Sequence, residues 1–134
     1  MPESAPSPFS YAILRVVPRV ERGERFNAGV VLFCRQRDFL AVRAGLDERR
    51  LTALAPDVPA EEVRGYLEAL ARVAAGSEDG GAIAALPASE RFGWLVAPSS
   101  TIVQPSEVHT GLSGDPAATL EQLYAELVEP VRAS

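Results

Sequence analysis

Three apolar runs rich in strand-forming residues open the chain: Tyr11–Val17, Phe26–Cys34 and Phe39–Ala44. The segments between them, Pro18–Glu24 and Arg35–Asp38, are polar and short. Parallel neighbours need a crossover of about a dozen residues or more, so runs this close together pair as an antiparallel meander. Tyr11–Val17 is apolar on both of its alternating faces. That pattern suits a central strand covered on both sides.

The period then changes from two to between three and four. Asp47 is placed to cap a short helix that ends near Ala55, just before Pro56. Pro59 opens a second helix at its first turn. Val63, Tyr66, Leu67, Leu70, Val73 and Ala74 form its single apolar stripe, and Gly76 ends it. A third helix is expected over Ser89–Leu95. Brief strands or extended loop are expected at Thr101–Gln104 and Val108–Thr110, with Pro105 between them. Asp115-Pro116 starts a closing helix whose inner face carries Leu120, Leu123, Leu127, Val128 and Val131. Strands first and helices later give an α+β fold. The expected form is a small antiparallel meander sheet of three to five strands, with three or four helices packed mainly on one face. Residues 1–8, with three prolines and two serines, read as a disordered lead, and residues 9–134 as one domain.

Composition removes several function classes. One cysteine excludes an internal disulfide, and with one histidine it leaves too few ligands for a structural zinc site. No metal and no cofactor are expected. No apolar stretch reaches the roughly 18 to 20 residues that span a bilayer. The start of the chain lacks the basic-then-apolar pattern of a secretory signal, so a cytoplasmic protein that avoids membranes is expected. The net charge of −5 argues against nucleic acid as a partner. That charge is uneven: residues 11–50 hold nine arginines against five acids, so the strand region is basic. All thirteen cations are arginine, whose planar fork binds carboxylate and phosphate bidentately.

Candidate chemistry concentrates in Ser99–Gly111, which gathers three serines, two threonines, Gln104 and the only histidine, His109. No spacing there matches a reaction-specific motif. Cys34 alternates with Val30 and Leu32 and reads as core. Asn27 and Gly29 are poor strand formers inside a strand-like segment. They mark either a bulge or room for something to approach the backbone. The expected site lies where the Arg25–Gly29 segment meets Ser99–Gly111, with Arg15, Arg25, Asn27, Thr101, Gln104 and His109 as contacts. These residues suit a binding or accessory module that recognises an anionic small ligand or a partner protein. The alternative is a hydrolase or transferase with His109 as general base, aided by Ser99, Ser100 or Ser106. A homodimer scaffold without a ligand is a third reading.

Four stretches, Tyr11–Pro18, Glu24–Cys34, Glu90–Leu95 and Thr101–Gly111, resemble the bacterial domain-of-unknown-function family 3037. Asn-x-Gly-Val and Val-Gln-Pro-Ser-x-Val-His-Thr-Gly are its more specific segments, and Ala28 stands where a larger residue is usual. The resemblance spans roughly residues 9–131. It implies an accessory role beside a kinase of the HipA type, with no assigned activity.

Overall fold

The computed structural model describes residues 5–130, and its longest strand sets the architecture. β1 (Ser7–Val16) lies inside a five-stranded antiparallel sheet, with β2 (Phe26–Cys34) on one side and β3 (Phe39–Ala44) beyond β2. The other side of β1 is shared end to end by two short strands. β5 (His109–Ser113) pairs with Ser7–Tyr11, and β4 (Val103–Pro105) pairs with Leu14–Val16. The α+β meander and the central place of the first strand are therefore both present. One boundary differs from expectation. Ser7 and Pro8 belong to β1 and not to a disordered lead, because Ser7 pairs with Ser113 and its hydroxyl accepts from Arg37 Nε at 3.1 Å. Of the rest of the expected lead, Ala5 and Pro6 are exposed and outside any strand, and residues 1–4 lie outside the described residues, as does Val131.

The irregularity around Asn27 is a β-bulge. Leu14 pairs with Gly29 but Arg15 pairs with Asn27, so Ala28 is one residue more than β1 can match. One extra residue exchanges the two faces of a strand. After the bulge, Val30, Leu32 and Cys34 point to one side of the sheet; before it, Phe26 and Ala28 point to the other. Asn27 is thereby aimed to the same side as Val30.

Each face of the sheet has its own core. On one, Ala12, Leu14, Val16, Phe26 and Val31 pack against Leu51, Val63, Leu67, Leu70 and Leu95. Those partners come from α1 (Glu48–Leu54), α2 (Ala60–Ala75) and α3 (Ala88–Leu95). On the other face, Phe9, Val30, Leu32 and Cys34 meet Leu120, Tyr124 and Val128 at α4 (Pro116–Leu127). Helices thus sit mainly on one face, while α4 alone covers part of the other. The caps explain the boundaries. Asp47 accepts from the backbone N–H groups of Arg49 and Arg50, and Asp115 accepts from that of Ala118. Gly76 closes α2 at φ 68°, a left-handed conformation that favours glycine. Pro59 stands at the cap of α2, one position earlier than expected, since its extended backbone precedes the first helical turn.

Candidate functional site

Arg15 sits between two of the other expected site residues. It pairs with Asn27 on β2 and with Gln104 on β4, so all three stand in one row across the sheet. Directly opposed residues share a face. Leu14 and Val16, on either side of Arg15, belong to the core under α1–α3, which puts Arg15 on the α4 face. Because α4 packs over β2 and β3, the neighbouring strip of β1 is only partly covered. Tyr11, Ile13 and Arg15 are half-buried there, flanked by β5 at one end and β4 at the other. His109 pairs with Tyr11, and their ring centroids are 5.2 Å apart at 33°. The result is an open shelf: an aromatic pair at one end, Ile13 in the middle and a polar row at the other. From residue 11 to residue 15 the strand advances about 13 Å.

Hydrogen bonding separates the fixed groups of the shelf from the available ones. Asn27 Nδ2 donates to the Leu127 carbonyl at 2.9 Å, tying the open end of α4 to β2. Gln104 Nε2 donates to the Thr101 carbonyl at 3.0 Å, steadying the entry to β4. Arg15 is the available group. Its guanidinium is 3.9 Å from Glu107, whose side chain is 75% exposed, and so long and solvated a pair holds weakly. Between β4 and β5, Ser106 repairs the gap in the ladder. Its backbone N–H donates to the Ile13 carbonyl, and its hydroxyl accepts from the Ile13 N–H, both at 2.8 Å. The same hydroxyl donates to the Glu107 carbonyl at 2.8 Å.

Residues 25–29 and 99–111 do not meet directly, because β1 runs between the two segments. Asn27 and Gln104 approach Arg15 from opposite sides, and His109 lies further along the same face. Arg25 is exposed at the start of β2, beside a surface cleft shared with Arg50 and Leu54 of α1. Thr101 lines a cleft on the other face with Tyr66 and Trp94. Its hydroxyl is held by Ser99 and by the Val103 carbonyl. Sequence reasoning passed over Tyr11 and Ile13 as site residues, and offered Glu107 only as an orienter of His109, whereas it lies beside Arg15. The alternation of positions 11, 13 and 15 was visible, but the reach of α4 across the sheet was not.

Two of the three serines offered as partners for a catalytic histidine, Ser99 and Ser106, have other duties, whereas the Ser100 hydroxyl has no protein partner among the described residues. Ser106 is 5% exposed and fully engaged by the β1–β4 junction. The Ser99 hydroxyl bonds to Thr101. Cys34 is completely buried in the α4-side core, away from the solvent that a reactive thiol needs. Among the described residues no group of three or more His, Cys, Asp or Glu side chains could hold a metal ion. Nor is any described helix long and apolar enough to cross a membrane.

Fold and site together define a small α+β domain built on one central strand, with a half-covered sheet face carrying aromatic and arginine side chains. The chain belongs to the family described as "Protein of unknown function (DUF3037)", which it matches over residues 11–128. No curated protein and no solved structure matches it.

Proposed function

We propose that this protein is a cytoplasmic accessory module that binds a partner protein on the β1 shelf, with Arg15 receiving an acidic group of the partner. The observation that carries this reading is the strip Tyr11–Ile13–Arg15, half-exposed on a sheet face that α4 leaves partly open. Interfaces are enriched in tyrosine and arginine, and a central apolar residue with a polar rim is their usual anatomy. Small-molecule sites are concave by contrast. The surface clefts near Arg25 and Thr101 do not include Tyr11, Ile13 or Arg15. The Arg15 side chain is 22% exposed and its carboxylate partner is distant, so a better-placed acid could displace Glu107 at little cost. Ser106 and Asn27 hold the floor in place before any partner arrives, which lowers the ordering cost of binding.

The alternative, a hydrolase or transferase using His109 as general base, gains less from the geometry. The imidazole lies against the Tyr11 ring, and Ser99 and Ser106 are engaged elsewhere.

The test uses the partner class that the family resemblance suggests, a HipA-type kinase from the same genome. Calorimetric titration of the purified kinase should give saturable binding. Arg15→Ala should weaken it tenfold or more and His109→Ala by a smaller factor, with both variants folded. A kinase that binds wild type and both variants equally, or not at all, would contradict the reading.

A further inference from the structure

At the opposite end of β1 and on its other face, Phe33, Ser10 and Thr110 stand side by side on β2, β1 and β5. They line a cleft of about 480 Å3 together with Ser89 and Phe92 of α3 and Arg35 of the turn after β2. This volume falls within the range of small-molecule sites. Two features coincide in this cleft.

The first is a free cation. Arg15, Arg19, Arg22, Arg43, Arg50 and Arg64 each lie within ion-pair distance of a carboxylate. Among the described residues Arg35, like Arg25, Arg49 and Arg72, has no such partner; its guanidinium carbon lies 5.9 Å from the centre of the Phe33 ring. The second is a set of unspent hydroxyls. Ser7, Ser99, Thr101, Ser106 and Ser113 all use theirs within the protein. Among the described residues those of Ser10, Ser89 and Thr110 have no protein partner, as is also true of Thr52, Ser77 and Ser100, and the first three converge on this one cleft. Beside them Phe33 and Phe92 stack with ring centroids 5.2 Å apart at 29°, giving the cleft an aromatic side.

We infer that this cleft binds a small aromatic phosphomonoester. The guanidinium fork takes two phosphate oxygens. The hydroxyls donate to the remaining oxygen and ester oxygen, more donors than a carboxylate could use. The aromatic body rests against Phe33 and Phe92, where offset or edge-to-face ring contacts are favourable. The shelf lies on the other face of the sheet, so this site stands or falls separately from partner binding.

The test is a titration of the isotope-labelled full chain followed by amide chemical shifts. Phenyl phosphate is the ligand, with inorganic phosphate and phenol as comparators. Saturable shifts are expected at Ser10, Phe33, Arg35, Ser89 and Thr110, with phenyl phosphate at least tenfold tighter than either comparator. Arg35→Gln should weaken it tenfold or more and Thr110→Val by about threefold. Arg35 and Thr110 are exposed, so both variants should keep the wild-type melting temperature. Arg15→Ala should leave the affinity unchanged. Inorganic phosphate binding as tightly as phenyl phosphate, an affinity indifferent to Arg35→Gln, or shifts confined to the other face would overturn the inference.

Discussion

Gly111 stands opposite Phe9 across the β5–β1 ladder, and the Phe9 ring occupies the space a side chain at Gly111 would need. A Cβ there would meet ring carbons Cζ and Cε2 at 2.7 and 2.9 Å. Phe9 is part of the core under α4, so it has little room to retreat. Gly111→Ala should cost about 1–3 kcal/mol, the usual penalty for overfilling a packed core. Denaturant unfolding measures it. A variant as stable as wild type would mean that the ring moves aside freely.

Ser106 supplies by side chain the hydrogen bond that a continuous edge strand would supply by backbone. Ser106→Ala keeps the backbone bond to the Ile13 carbonyl but leaves the Ile13 N–H without its acceptor. An unsatisfied buried donor costs about 1–3 kcal/mol. Hydrogen exchange should show the Ile13 amide losing protection while the β1–β2 ladder keeps it. Unchanged protection at Ile13 would contradict the assignment.

Asn27 joins β2 to the open end of α4 across 100 residues of sequence. Asn27→Ala should lose about 0.5–1.5 kcal/mol and expose the last turn of α4 to exchange first. Asn27→Asp removes the donor while keeping the shape, so it should be at least as damaging. An aspartate variant indistinguishable from wild type would show that the amide bond contributes nothing.

One surface pair gives a pH dependence of definite sign. Arg19 donates to Asp57 at 2.5 Å, and this bond, ahead of the charge attraction, holds the Asp57 carboxyl below its usual range. A carboxyl lowered by folding adds stability above its unfolded value, and that stability is lost as pH falls through the folded value. The gap between wild type and Asp57→Asn should therefore be present at neutral pH and shrink as pH drops below about 4. Both side chains are solvated, so the gap should be small and should fade in 1 M salt. A gap that grows in acid would have the wrong sign.

The elements were legible where local chemistry writes them. Asp47 and Asp115 announce α1 and α4 through their caps, Gly76 ends α2, and closely spaced apolar runs require a meander. The bulge was half legible: Asn27 and Gly29 flagged the place, but only the β1 register shows that Ala28 is the extra residue. The site was less legible, because it depends on long-range pairing. Nothing local to Arg15 says that residues 12 positions later and 89 positions later flank it, as Asn27 and Gln104 do. Tyr124 was missed on the inner face of α4 because its ring serves two ends. It packs in the core and carries Arg43 over its face at 4.1 Å. The duties of Ser106 and Asn27 are hydrogen bonds to backbone far away in sequence, and no spacing rule encodes those.

The account rests on the strip of β1 beside α4 being a contact surface. The most direct measurement places a photoreactive phenylalanine analogue at position 11 or, as a control, at the exposed Thr52 of α1, and irradiates cells that express the full chain. Position 11 should give one discrete protein adduct that disappears when Arg15→Glu is added, while position 52 gives none. No adduct from position 11, or an adduct indifferent to Arg15→Glu, would contradict the account.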